Sequence, residues 1–273
     1  GAMASMEAAF TLTRTLVQSA PEQLAWSMDL ATCSHELGSL HLSLGHLEIA
    51  EGYLRDAEAG VRGVVSRAPE RPDWLRELAV VNVKLGDLHL ELGQSPAAMA
   101  CWSEALELCR RLVEARPLEL TWLRDLYLSC AKLGDLHANL GHAPTALHHT
   151  DEALRIARQL VAREPERLDW LCSLCVACGR LGARYQEASN SVAAITLFQE
   201  SLALARQLVA RAPGEPQWLR ELSVACNKLG SLEQARGNVD VSRPLFEEAL
   251  AIRRQLVAED PARLDWLRDL AHA

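Results

Sequence analysis

WLRDLYLSCAKLG (Trp122–Gly134), WLCSLCVACGRLG (Trp170–Gly182) and WLRELSVACNKLG (Trp218–Gly230) are three spellings of one text, set 48 residues apart. The frame runs through the whole chain. Trp26, Trp74, Trp122, Trp170, Trp218 and Trp266 each follow a proline by five positions, at Pro21, Pro69, Pro117, Pro165, Pro213 and Pro261. Leu-Gly pairs keep the same register at Leu37-Gly38, Leu85-Gly86, Leu133-Gly134, Leu181-Gly182 and Leu229-Gly230. Self-similarity at a fixed period of this length marks a stacked repeat, in which each unit covers the apolar face its neighbour cannot bury alone.

Within one unit, PERPDWLRELAVVNVKLGDLHLELG sets Trp74, Leu78, Val81, Leu85 and Leu92 on one helical face, with Asp73, Glu77, Lys84 and Glu91 opposite. The next stretch, QSPAAMACWSEALELCRRLVEAR, has an apolar face through Ala98, Trp102, Ala105, Leu112 and Val113. Gly93 closes the first helix, Ser95 reads as the N-cap of the second with Pro96 at its first position, and Pro117 separates the unit from the next. Each unit is expected to be a hairpin of two helices of about 20 residues. The chain then divides into 1–5, an expression scar; 6–20, the end of a second helix; repeats at 21–68, 69–116, 117–164, 165–212 and 213–260; and 261–273, the start of a first helix. Such ends read as a segment excised from a longer array.

Counting from the Leu-Gly pair, an alanine follows twelve residues after the glycine (Ala50, Ala98, Ala146, Ala194) and a small residue seven further on (Ala57, Ala105, Ala153, Ser201, Ala249). Bulky side chains stand between them at Leu54, Trp102, Phe198 and Phe246. This pattern resembles the tetratricopeptide repeat, whose signature carries Leu-Gly on its first helix and Ala, a large residue and Ala on its second. The unit is longer than that family's norm, and is similar to a 48-residue subtype with a W-x-R-[DE]-L opening found in large bacterial proteins. The resemblance implies an all-α, right-handed superhelical solenoid of long helical hairpins. It also implies a protein-binding scaffold, of a kind often fused to signalling or effector domains.

Composition narrows the partner. The balance of 28 basic against 36 acidic residues, a net charge of −8, argues against a surface for nucleic acid or anionic lipid, which needs clustered Lys and Arg. No uninterrupted apolar run reaches the roughly 18 residues of a bilayer span, and the expected setting is the cytoplasm. Eight cysteines lying inside amphipathic segments are expected as reduced thiols. Cys172, Cys175 and Cys178 point in directions too spread for one ion, and Cys130, Cys178 and Cys226 share a packing column, so no metal and no cofactor is expected.

Two further ladders and one short motif have structural readings. His41, His89 and His137 stand where the family usually has Tyr, as Tyr185 does, and are expected to be hydrogen-bonded packing residues. Arg14, Arg62, Arg110, Arg158, Arg206 and Arg254 are expected to pair with acidic residues or to stack on the tryptophan of the next unit. HHTDEA, His148–Ala153, lacks the histidine spacing of a zinc-protease helix and reads as a solvated His148–Glu152 pair. No phosphate-binding glycine loop or nucleophile arrangement is present, and the segment is expected to be no enzyme.

The polar side of the first helices, which lines the concave groove in the family, is the expected binding surface. It carries Arg76, Arg124 and Arg220, then Lys84, Lys132, Arg180 and Lys228, with an apolar row of Val80, Leu128, Val176 and Val224 between them. Desolvated anchors beside orienting charges suit a protein or peptide ligand. The Lys-Asn carboxylate clamp of some family members is not matched, since Val83 with Asp87 and Ala131 with Asp135 hold its places. The fourth full unit departs most from the pattern, at Ser173, Arg184, Ala188 and Ser189. An alternative role is a self-assembling array joined head to tail through its truncated ends.

Overall fold

The computed structural model describes residues 2–271, and those residues form twelve helices and no strand. They are α1 (Ala2–Ser19), α2 (Leu24–Ser43), α3 (Leu47–Arg67), α4 (Pro72–Glu91), α5 (Ser95–Ala115), α6 (Leu120–Asn139), α7 (Ala143–Arg163), α8 (Leu168–Glu187), α9 (Ser191–Arg211), α10 (Pro216–Ala235), α11 (Val239–Glu259) and α12 (Leu264–Ala271). From α2 onward the starts of the first and of the second helices each recur every 48 residues, and from α2 to α11 first helices of 20 residues alternate with second helices of 21. Residues 2–5 continue α1 rather than preceding it, as Ala and Met favour helix. The chain separates into two compact units, 1–136 and 137–273, each built of stacked antiparallel hairpins.

Two sequence ladders set the helix boundaries. Every second helix ends on a residue placed just before a proline, and Ala68, Arg116, Glu164, Ala212 and Asp260 all adopt extended φ between −132° and −146°. The proline ring excludes the helical conformation from its predecessor, so the proline ladder terminates these helices. First helices end differently. The backbone N–H groups of His46, Gln94, His142, Asn190 and Asn238 donate back to the carbonyls of His41, His89, His137, Tyr185 and Glu233 at 2.7–2.9 Å. This six-residue closure needs a left-handed residue between, which is Gly45, Gly93, Gly141 or Gly237 in four turns and Ser189, at φ 60°, in the fourth hairpin. The residue preceding α5 is Gln94, so Ser95 is the first helical residue and not the cap; Pro96 still fits, because no intrahelical donor is needed there.

The Leu-Gly pairs are close-approach points. A β-carbon at Gly86 would fall inside the van der Waals surface of the Trp102 indole, whose Nε1 donates to the Val83 carbonyl at 3.1 Å. Gly182 and Gly230 meet Phe198 and Phe246 in the same way, sixteen residues on. In these hairpins, and at Gly38 with Leu54, the bulky residue of the second helix therefore lies across the glycine of its own first helix.

In the second unit the core runs through Leu171, Cys175, Phe198, Leu208, Leu222, Cys226, Leu245 and Trp266. Helix α9 is long and apolar enough, by length and composition, to cross a membrane, although no uninterrupted apolar run was expected to be. Its apolar face, Ala194, Leu197, Phe198, Ala205 and Leu208, packs against α8 and α10.

The column holding Cys130, Cys178 and Cys226 is wholly buried, and in α4 it is occupied by Asn82. Both amide atoms of Asn82 are buried without a hydrogen-bond partner. Leaving such a group unsatisfied costs about 1–3 kcal/mol. Asn82→Cys is expected to raise the unfolding free energy by about 1–2 kcal/mol, read from urea unfolding followed by circular dichroism; an unchanged or lowered midpoint would contradict it.

Arg62, Arg110, Arg158 and Arg206 of the arginine ladder pair with acids, while Arg14 lies over the Phe10 ring at 5.6 Å. Arg62 reaches Glu104 at 2.6 Å, Arg158 reaches Glu200 at 2.9 Å and Arg206 reaches Glu248 at 2.8 Å, each 42 residues ahead. Half-exposed pairs of this kind contribute about 0–1 kcal/mol each. Stacking on tryptophan belongs to other arginines than the ladder's: Arg71, Arg167 and Arg263 lie 4.4, 4.2 and 4.4 Å from the rings of Trp74, Trp170 and Trp266. These stand three residues before the indole, at the start of the same helix, which puts the guanidinium over the ring without reaching another unit.

Candidate functional site: a charged hollow between two first helices

Six of the groove residues read from the sequence meet around one hollow in the first unit. Arg76, Val80 and Lys84 on α4 face Arg124, Leu128 and Lys132 on α6 across a space of about 310 Å³, with Val83, Asp87 and Asp125 completing the wall. Their spacing explains the grouping. Positions 76, 80 and 84, like 124, 128 and 132, step by four and so form one line along each helix.

The charges in this wall divide into two kinds. Arg76 Nε donates to Asp125 at 2.7 Å and Lys132 Nζ donates to Asp87 at 2.6 Å, so both cations are held by acids of the facing helix. Lys132 also lies 5.4 Å from the Trp102 ring, which fixes its direction. Lys84 and Arg124 form no salt bridge with any described residue. Val80 and Leu128 are half-buried, leaving an apolar floor between these two cations. Asp87 and Asp125 are thus internal braces, which explains why a Lys-Asn carboxylate clamp has no place here.

The remaining groove residues, Val176, Arg180, Arg220, Val224 and Lys228, lie on α8 and α10 of the second unit. Arg220 donates to Asp269 at 2.7 Å, repeating the Arg76–Asp125 brace. Lys228 donates to the Gly179 carbonyl at 3.2 Å. Burial raises the Glu221 carboxyl above its ordinary value against the pull of Arg220, Lys228 and Arg180.

The cysteines are packing groups. Burial pushes the thiol of Cys172 up to about 12 and that of Cys175 up to about 11, and raises Cys178 as well, so all three are protonated at neutral pH. Cys175 Sγ lies 3.3 Å from the Ser201 carbonyl, while Ser201 Oγ donates to the Cys175 carbonyl at 2.9 Å. That exchange ties α8 to α9.

Residues 223–262 match the family model described as tetratricopeptide repeat. Among solved structures the fold is similar to BtubC (BKLC) from P. vanneervenii, with a TM-score of 0.70 and 20% identity over 93% of this chain and 90% of that one. It is also similar to the apo form of RapI, with a TM-score of 0.65 and 13% identity over 91% of this chain and 60% of that one. A putative kinesin light chain of P. anserina with nearly identical TPR-like repeats aligns with a TM-score of 0.58 and 17% identity over 84% and 97%. No curated protein sequence matches the chain. The chain has the fold of tetratricopeptide-repeat proteins.

Tetratricopeptide folds are in general non-catalytic interaction scaffolds, and two features of these repeats were not legible as sites in the sequence. The histidine column lies at the hairpin turns. His41 Nδ1 is 3.2 Å from His46 Nδ1, His89 Nδ1 is 2.8 Å from Gln94 Oε1, and His137 Nδ1 is 3.1 Å from His142 Nδ1. Each pair spans the two residues whose backbones close the turn, so the tether was foreseen but its partner was not. Burial and the adjacent His142 hold His137 below the usual imidazole range. The second feature is a cluster in the third hairpin, where donor atoms of His148, His149 and Glu152 lie within 4.8 Å of one another. The irregular residues of the fourth hairpin have local roles: Ser173 Oγ donates to the Asp169 carbonyl at 2.8 Å, Arg184 pairs with Glu187 at 2.9 Å, and Ser189 makes the left-handed turn.

Proposed function

We propose that the chain is a non-enzymatic binding scaffold of a larger signalling or effector protein, and that the hollow between α4 and α6 receives an extended protein segment. One observation carries the reading: an apolar floor, Val80 and Leu128, lies between two cations, Lys84 and Arg124, that no carboxylate of the described residues neutralises. An extended ligand that places an apolar side chain on the floor and carboxylates beside it gains buried area and two charge-assisted contacts at once. Arg76 and Lys132, held by Asp125 and Asp87, keep the walls rigid and contribute orientation rather than free charge. Val176, Arg180, Arg220, Val224 and Lys228 offer a similar surface on the second unit, with Arg220 already braced by Asp269. The eight cysteines, which form no disulfide among the described residues, suit a reducing, cytoplasmic setting.

Peptides selected for binding from a random library provide the test, with affinities measured by fluorescence anisotropy. Leu128→Asp, and Lys84→Glu with Arg124→Glu, are each expected to weaken selected acidic-apolar peptides by at least about tenfold, the equivalent of about 1.4 kcal/mol. Helicity by circular dichroism stays unchanged, since these side chains are not core. Peptides that bind both variants as tightly as the parent would move the binding surface elsewhere.

A further inference from the structure

The third hairpin holds four of the nine histidines between residues 137 and 149, and the turn from α6 to α7 folds them onto one another. His137 Nδ1 sits 3.1 Å from His142 Nδ1, and the His137 ring stacks on His149 at 5.6 Å between centroids and 12° between planes. His149 is in turn 5.4 Å from the ring of its neighbour His148. Donor atoms of His148, His149 and Glu152 all lie within 4.8 Å of one another. We infer that His148, His149 and Glu152 bind a divalent transition-metal ion of the zinc class, with His137 as the ring that holds His149 in place.

The comparison between hairpins isolates the feature. An acid occupies the place of Glu152 in every hairpin, as Asp56, Glu104, Glu200 and Glu248, so the repeat itself supplies the carboxylate. The positions four and three residues before it, held by His148 and His149 in the third hairpin, are Gly52 and Tyr53, Ala100 and Cys101, Thr196 and Leu197, and Pro244 and Leu245 in the other hairpins. Only the third sets two imidazoles beside the acid. His148 and Glu152 are four residues apart, one helical turn, which brings their donors to the same side of α7.

The donor set selects the ion. Two imidazole nitrogens and one carboxylate oxygen suit Zn²⁺, Ni²⁺ or Cu²⁺, whereas calcium and magnesium require oxygen ligands. Three protein ligands leave a fourth position for water. Bonds of about 2.1 Å place two donors no more than about 4.2 Å apart, so closing around an ion draws in the widest separation. His148 is exposed and free to turn by that amount, while His149 is held by the His137 stack. Glu152 also lies 4.0 Å from Arg155, so the ion competes with a cation for the carboxylate.

The experiment uses the full chain without any histidine tag, stripped of metal, and titrated with Zn²⁺ alone against a chromogenic chelator. The expected result is one Zn²⁺ per chain. His148→Ala with His149→Ala should weaken binding at least tenfold, and Glu152→Gln severalfold, with helicity unchanged. The other Nδ1-paired histidines, His41 and His46 beside Tyr53, supply the control, because their hairpin has Gly52 where the third has His148. His41→Ala with His46→Ala should leave the titration as it was. No stoichiometric Zn²⁺ below about 100 µM, equal affinity in the His148/His149 variant, or equal loss in the His41/His46 variant would each overturn the site.

Discussion

Gly86→Ala is expected to lower the unfolding free energy of the chain by about 1–3 kcal/mol, and Trp102→Ala by about 3–5 kcal/mol. The two residues form one joint. The indole lies where any β-carbon on residue 86 would stand, and its Nε1 donates to the Val83 carbonyl one turn back along α4. A methyl group at Gly86 must push the ring away, lose that hydrogen bond and open the hairpin, so overpacking and an unmet donor act together. Removing the ring instead leaves a cavity between α4 and α5 that two helices held by their turn cannot close. Gly52, which has open space around its α-carbon, is the control: Gly52→Ala in the middle of α3 should be neutral or stabilising. Urea unfolding of the three variants decides the matter. A Gly86→Ala protein as stable as the parent would show that the Leu-Gly pair is not a packing joint.

Trp218→Ala is the second large effect, at about 3–5 kcal/mol. Trp218 is only 7% exposed and belongs to the core with Leu171, Cys175, Leu222 and Cys226. Its Nε1 is buried without a hydrogen-bond partner, so Trp218→Phe removes an unmet donor along with part of the ring and should cost much less than the alanine change. Trp26 holds the same place in the repeat but is half-buried, and Trp26→Ala should cost less than Trp218→Ala. Equal losses at the two positions would mean that the ladder acts through something other than burial.

The fold was legible because its signals are periodic. A tryptophan, a proline and a Leu-Gly pair recurring at one spacing fix helix direction, helix ends and the hairpin joint, and each is a local constraint: the proline acts on the residue before it, and the glycine on a ring sixteen residues away. The second helix cap was misplaced by one residue because Ser95 is a good cap by type, while the six-residue turn closure had already assigned that place to Gln94. The hollow was legible in part. The line of residues 76, 80 and 84 beside 124, 128 and 132 follows from helical geometry, but which cations are held depends on Asp87 and Asp125, whose reach across the helix pair no one-dimensional pattern records. The histidine cluster was illegible for the same reason. HHTDEA read by itself offers two imidazoles and an acid, and only the turn brings His137 and His142 to it.

The binding surface is the central claim, and site-specific photo-crosslinking tests it most directly. A photoreactive residue replacing Leu128, on the floor of the hollow, should capture a selected peptide at high yield, and excess unlabelled peptide should abolish the capture. The same residue replacing Glu107, on the exposed side of α5, should capture little. Strong, competable capture at position 107 with none at 128 would contradict the account.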